Sequence, residues 1–434
     1  MQREFHKRRQ RLFRLMDRDG IAVLFSASEQ QRNADVHYPF RQHSDFYYLT
    51  GCVEPHAIAL LEAKNRQFIL FCEENDEFST QWTGKKLGPE GAVECLGADE
   101  AYPINAADGM IPERLAGHKT LYFPLGGDDM HETELADWIQ QIRSQARGGL
   151  QPPKRVIPAQ ELLHELRLFK SPAEIRLMKQ AASISAKAHI SAMRACRPGQ
   201  HEYHLESIIQ AECMQAGCRF QAYPPIVAAG DNACVLHYTH NNALMQDGDL
   251  VLIDAGAELH NYASDITRTF PVNGRFSPAQ RALYDLVLEA QLAAIRQVKP
   301  GRSFIAPHQA AVKVITRGLL ELGLLSRRLD LKTHIQRGSY RRFFMHRTSH
   351  WLGLDVHDVG AYKQGKRWRT LQPGMVLTIE PGLYIPKEQK GVARKWQGIG
   401  IRIEDDVLVT PTGHDILSKA APKKADEIEA LMAS

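Results

Sequence analysis

The chain has 434 residues, too many for one ordinary hydrophobic core, so two domains are expected. Hydrophobic residues make up 44% and charged residues 24%, an ordinary soluble composition, and the net charge of +4 gives no reason to invoke nucleic acid. No run approaches the roughly 18 uninterrupted apolar residues of a membrane span, and seven cysteines, an odd number without CxxC spacing, read as free thiols of a reducing, cytoplasmic compartment.

Met1 to Met16 is basic but lacks an apolar h-region, so it reads as an ordinary first helix rather than a secretory signal. From Ile21 the chain is strand-like. Further strands are expected at Phe46 to Thr50, Ala57 to Glu62 and Gln67 to Cys72, the last two forming a hairpin turned at Lys64-Asn65. Helical patterns fit Glu77 to Lys86 and Glu132 to Ala146. This half reads as an α/β domain over residues 1–165 with no catalytic motif of its own, and Gly148 to Pro153 reads as a linker.

Residues 166–434 form the second domain, of α+β type. Ser171 is a good N-cap, Pro172 sits at N1 and Glu174 closes a capping box, so a helix should run to about Cys196. Arg197-Pro198-Gly199 precedes an amphipathic helix ending near Gly217, and Lys299-Pro300-Gly301 precedes another ending near Gly323. Sheet segments follow each, a faint internal repeat.

The chemistry lies in four stretches of this half. Leu250 to Pro271 reads as two strands with a tight connection, carrying Asp254 near the end of the first and Asp265 at the start of the second. His346 to Asp358 holds the histidines His346, His350 and His357. Met375 to Gly382 is a strand launched by Gln372-Pro373-Gly374, with Val376, Thr378 and Glu380 on one face. In Gly398 to Asp405 the alternation puts Arg402 and Glu404 on a common face.

A carboxylate buried in a sheet is costly unless it is paired or bound to a metal. One histidine beside four carboxylates is an oxygen-rich ligand set suited to Mn, Co, Zn or Mg. Four carboxylates overload one divalent ion, whereas two ions, roughly 3.5–4 Å apart, balance them and share a water. Arg402 could offset the remaining negative charge.

The succession DAG, a second Asp after ten intervening residues, SHWLGLDVHD, TIEPGLY and GIRIEDD resembles the pita-bread metallopeptidases, which include methionine aminopeptidase, prolidase and aminopeptidase P. The resemblance spans about Leu168 to the C-terminus. It implies the metal ligands Asp254, Asp265, His350, Glu380 and Glu404, with Asp265 and Glu404 bridging two divalent ions, Mn²⁺ first and Co²⁺ or Zn²⁺ as alternatives. A second, separate motif, Arg32 to Asp35 and Tyr38 to Gly51, resembles the N-terminal domain of bacterial aminopeptidase P, a domain that shapes access to the site.

What the resemblance implies is a metal-dependent aminopeptidase acting on peptides with proline at the second position. A hydroxide shared by the two ions attacks the scissile carbonyl, and Glu380 accepts and relays the proton. His237, His346 and His357 contact substrate or stabilise the oxyanion, and Tyr384 and Arg402 line the substrate pocket. The alternatives are a prolidase restricted to dipeptides and a non-catalytic pita-bread binding protein. Bacterial relatives assemble as tetramers, which implies a homo-oligomer, dimer or tetramer, with Trp82 near a neighbour's site. Arg347 departs from the Gly that relatives commonly carry, and the basic segment Lys363 to Arg369 reads as a solvated loop.

Overall fold

The computed structural model describes residues 1–127 and 129–434. It divides into two compact units, Met1–Arg167 and Leu168–Ser434.

The first unit is built on a mixed six-stranded sheet in the order Glu100–Pro103, Gln67–Cys72, Ile58–Glu62, Gly20–Phe25, Thr120–Phe123 and Arg155–Pro158. The hairpin expected at Lys64-Asn65 is present, with Glu62 opposite Gln67. Ile21, Val23, Leu60, Ile69, Leu121 and Phe123 meet Ile111, Leu115 and Trp138 in one apolar core. Helices Gln2–Leu15, Glu77–Thr83 and Asp129–Ser144 lie where helical patterns were read, the second ending at Gly84 (φ +83°) rather than reaching Lys86.

Two readings of this half need correction. Phe46 to Thr50 is not a strand but part of a helix, Ser44–Thr50, closed by Gly51 in the left-handed region (φ 72°). All seven of its residues are buried, so no polar face reveals the period. Arg8 and Arg9 donate to the carbonyls of Tyr48 and Leu49 at its C-terminal end, which satisfies groups a helix leaves open. The Gly148 to Pro153 stretch is no linker between units. The strand after it, Arg155–Pro158, pairs in parallel with Thr120–Phe123 inside the same sheet. Turn composition marks a break in secondary structure and cannot tell which sheet the next strand joins.

In the second unit the capping box forms as read: Ser171 Oγ accepts from the Glu174 amide and Glu174 Oε2 from the Ser171 amide, opening a helix over Pro172–Ala195. The two Pro-Gly steps precede helices Glu202–Gln215 and Ala306–Glu321. Two of this unit's three-stranded antiparallel sheets carry stretches singled out in the sequence. One has Leu250–Asp254 between Ile226–Ala229 and Thr267–Pro271, and the other has Asp405–Thr410 between Val376–Ile379 and Gly413–Ile416. A further pair, Gly382–Ile385 with Ile399–Arg402, lies against the first sheet.

The connection between Asp254 and Asp265 is not tight. The chain makes a side hairpin, Ala257–Leu259 with Tyr262–Ala263, turning at His260 and Asn261, both at positive φ. Gly256 sits where the two arms cross; a Cβ there would lie 1.7 Å from the Ser264 carbonyl oxygen, so only glycine fits. The excursion returns Asp265 beside Asp254, where the Ala255 amide bonds the Ile266 carbonyl.

Each acidic residue of the expected ligand set stands where a strand leaves its sheet. Asp254 is the last residue of its strand, and Asp265 lies two residues before Thr267–Pro271. Glu380 follows Val376–Ile379 and Glu404 separates Ile399–Arg402 from Asp405–Thr410, at the corner where one pair of chains changes sheets.

Candidate metal centre

His350 reaches this corner because residues 348–352 run along the Val376–Ile379 strand: the Thr378 amide bonds the His350 carbonyl and the Glu380 amide bonds the Thr348 carbonyl. His350 Nδ1 donates to the Trp351 carbonyl at 2.9 Å, which turns Nε2 toward the carboxylates. Nε2 lies 3.3 Å from Asp265 Oδ2 and 3.6 Å from Glu380 Oε1. Donor atoms of Asp265, His350 and Glu404 all fall within 4.8 Å of one another. Thr267 Oγ1 donates to Glu404 Oε2 at 2.7 Å, and Arg402 Nη2 donates to Asp254 Oδ2 at 2.6 Å. Arg402 therefore pairs with Asp254 directly, and its Nε donates to Thr267 Oγ1, which in turn donates to Glu404.

Burial, followed by repulsion from Asp265, Glu380 and Asp254, pushes Glu404 well above the carboxylate range. Burial raises Asp254 despite Arg402, and raises Glu380 to about 7 against the pull of His350. Burial works against the charge of Asp265 too, yet its hydrogen bond with His350 holds it below its ordinary value. His350, though desolvated, is held up at about 9 by Asp265 and Glu380. A cluster that retains protons it would lose in water is one that cations can neutralise in their place. Four convergent carboxylates and an aimed imidazole nitrogen fit a pair of divalent ions by the chemistry of the donor set.

The cluster forms the acidic part of a cavity of about 980 Å³. His237, His346, His357 and Arg402 also line it. Tyr384, expected on the wall, is fully buried instead: its hydroxyl accepts from Arg402 Nη1 at 3.1 Å and meets His346 Nε2 at 2.8 Å. His346 Nδ1 donates to the Arg347 carbonyl at 2.7 Å, so both ring nitrogens are engaged, and burial with Arg402 nearby lowers its pKa to about 3. His346 is thus a neutral wall of the cavity. The 363–369 segment is not simply a solvated loop. It is a hairpin pairing Lys363 with Trp368, and both residues line the cavity.

Three contributors were not singled out from the sequence, although Asp406 closes the GIRIEDD stretch. Tyr223 places its hydroxyl 2.6 Å from Asp254 Oδ1 and 2.6 Å from Asp265 Oδ1. Asp406 accepts the Asp265 amide through both oxygens at 3.2 Å. His308 lines the cavity and bonds Thr348 Oγ1 at 2.8 Å; burial and the nearby Arg347 lower its pKa to about 4. Glu404, Asp405 and Asp406 divide their work, Asp405 being held in a buried network with Arg268, Ser418 and Lys423.

The family model described as metallopeptidase family M24 matches residues 176–411, the part that carries this whole cluster. The chain is an M24 metallopeptidase. In this M24 enzyme a second model, aminopeptidase P N-terminal domain, matches residues 5–122. The M24 chain is 44% identical over 432 residues to the Xaa-Pro aminopeptidase of Escherichia coli (strain K12), covering 99% of this chain and 97% of the relative. It is 49% identical to an aminopeptidase of Pseudomonas aeruginosa of known structure, with a TM-score of 0.98 over 100% of this chain and 98% of that one. The zinc-substituted aminopeptidase P of E. coli in complex with product superposes with a TM-score of 0.97 at 44% identity, over 100% and 98% of the two chains.

Proposed function

We propose that this M24 enzyme releases the first residue of peptides whose second residue is proline. The observation that carries the reading is the cavity with Asp254, Asp265, His350, Glu380 and Glu404 at one end and the rings of Phe304, Tyr362 and Trp368 on its lining. These five residues would hold two divalent ions, which supply charge balance and a water activated at neutral pH; manganese is our first choice because the donors are mostly hard oxygens.

Glu380, at about 7 and hydrogen-bonded by Thr378 Oγ1, is poised to take a proton and pass it to the leaving nitrogen. His237 and His357 are exposed on the lining and would hydrogen-bond the substrate carbonyl. The carboxylate cluster suits the free α-amine of the substrate, which favours an aminopeptidase. An Xaa-Pro amide has no N–H, so a shaped apolar wall has to take the place of that hydrogen bond. The 1–165 region would shape access, a role supported by the matching aminopeptidase P N-terminal model. The resemblance to bacterial aminopeptidase P and the exposure of Trp82 (75%) favour a homo-oligomer. Seven free cysteines favour the cytoplasm.

The test is kcat/KM for Ala-Pro, Ala-Pro-Ala and Ala-Ala-Ala under one metal condition. Ala-Pro-Ala should be the best of the three. Cleavage of the dipeptide alone would make the enzyme a prolidase, and equal rates for both tripeptides would remove proline specificity.

A further inference from the structure

The cavity carries opposite charge on different parts of its lining. Its four lining carboxylates are the candidate metal ligands Asp254, Asp265, Glu380 and Glu404, and the lining cation Arg402 is paired with Asp254. The other two lining cations, Arg347 and Lys363, are exposed, and among the described residues neither has a carboxylate partner.

Both approach the same aromatic ring. The Arg347 guanidinium carbon is 5.7 Å from the Trp368 centroid, and Lys363 Nζ is 4.6 Å from it. Trp368 is itself held in a ring stack: Phe304 lies at 6.2 Å and 23°, and packs in turn on Trp351 at 4.6 Å and Tyr362 at 4.9 Å. Cation–π contact on an anchored ring limits how far two long side chains can roam. It also holds both charges at one ring on the cavity lining with no carboxylate among the described residues paired to either, an arrangement that a bound carboxylate relieves.

We propose that Arg347 and Lys363 form a carboxylate subsite for the part of the peptide beyond the scissile bond. The inference rests on the aminopeptidase reading, which sets the peptide's direction. With the substrate amine at the acidic cluster, the charge left for the basic part of the cavity is the C-terminal carboxylate of a short peptide or an acidic side chain after the proline. The pairing selects among substrates and takes no part in bond breaking.

Two matched pairs of peptides test it. Ala-Pro-Ala against its C-terminal amide reads the terminal carboxylate, and Ala-Pro-Asp-amide against Ala-Pro-Asn-amide reads a side chain. The wild-type enzyme should favour the charged member of at least one pair in kcat/KM, by about two- to fivefold for each exposed cation engaged. The ratio should fall toward one in Arg347→Gln and in Lys363→Met, and also in the wild type as added salt screens the charges. Both side chains are exposed, so the variants should fold, and the salt series reads the same charges with no substitution. Wild-type ratios of one for both pairs, or ratios that neither the variants nor salt alter, would overturn the subsite. Failure of the wild type to cut any of the four peptides would instead overturn the aminopeptidase reading beneath it.

Discussion

Arg402 and Asp254 form an ion pair at 2.6 Å inside the acidic cluster, their side chains only 5% and 13% exposed. The same guanidinium also serves Thr267 Oγ1 and the Tyr384 hydroxyl, so its planar fork spans three acceptors. Arg402→Met would leave Asp254 without its cation and cost about 3–5 kcal/mol, the range for breaking a buried pair. Arg402→Lys should recover little of this, because one ammonium cannot reach all three groups. Urea unfolding of both variants measures the cost; near-wild-type stability of the lysine variant would show that charge alone matters.

Glu404 is tied to Thr267 and lies within 4.8 Å, donor to donor, of Asp265 and His350. If it bridges the two ions, Glu404→Ala should release at least one and abolish hydrolysis. Elemental analysis of the purified variant beside the wild type reads the metal directly. A fully loaded, fully active variant would remove Glu404 from the ligand set.

Glu380 is expected to act both as ligand and as proton carrier. Glu380→Gln keeps its shape and removes its basic oxygen, and should lower kcat by on the order of 10²-fold or more while changing KM less. A loss confined to KM would mean that Glu380 only holds the substrate.

The charges of the cluster predict a pH signature. Glu380 holds its proton to about 7 in the metal-free fold, whereas an unfolded glutamate loses it near about 4.3. Its contribution to stability is therefore present below about 4.3 and lost as pH rises through about 7. Asp254 and Glu404, also raised, act in the same direction, as does His350, whose contribution is lost as pH rises through about 9; Asp265, lowered, opposes them. Metal-stripped protein should thus lose stability between pH 5 and 9, over and above any general effect. Ions compete with those protons, so the rise in Tm on adding Mn²⁺ should grow with pH. Thermal scans with and without the ion at several pH values check this, and a metal-induced shift that stays constant would contradict it.

Some of this was legible in the sequence because it is local. The capping box of Ser171 and Glu174 needs residues three apart, and the period-2 pattern around Leu250 and Val376 needs only one strand. The family motifs make Asp254, Asp265, His350, Glu380 and Glu404 stand out, because acidic residues on apolar strands are costly without partners. Only the tertiary structure decided what those partners are. Tyr223 meets Asp265 across 42 positions and Asp406 meets its amide across 141, and no spacing rule reaches so far. The same holds where local signals misled. The Phe46 to Thr50 run is aromatic enough for a strand, yet it is a fully buried helix whose end is met by arginines forty residues earlier. Tyr384 follows Glu380 closely enough to be read as a pocket residue, but which side of its strand faces the cavity depends on the sheet it packs against, and Tyr384 is buried. Periodicity sorts side chains into two faces; the packing of distant strands determines which face meets the substrate.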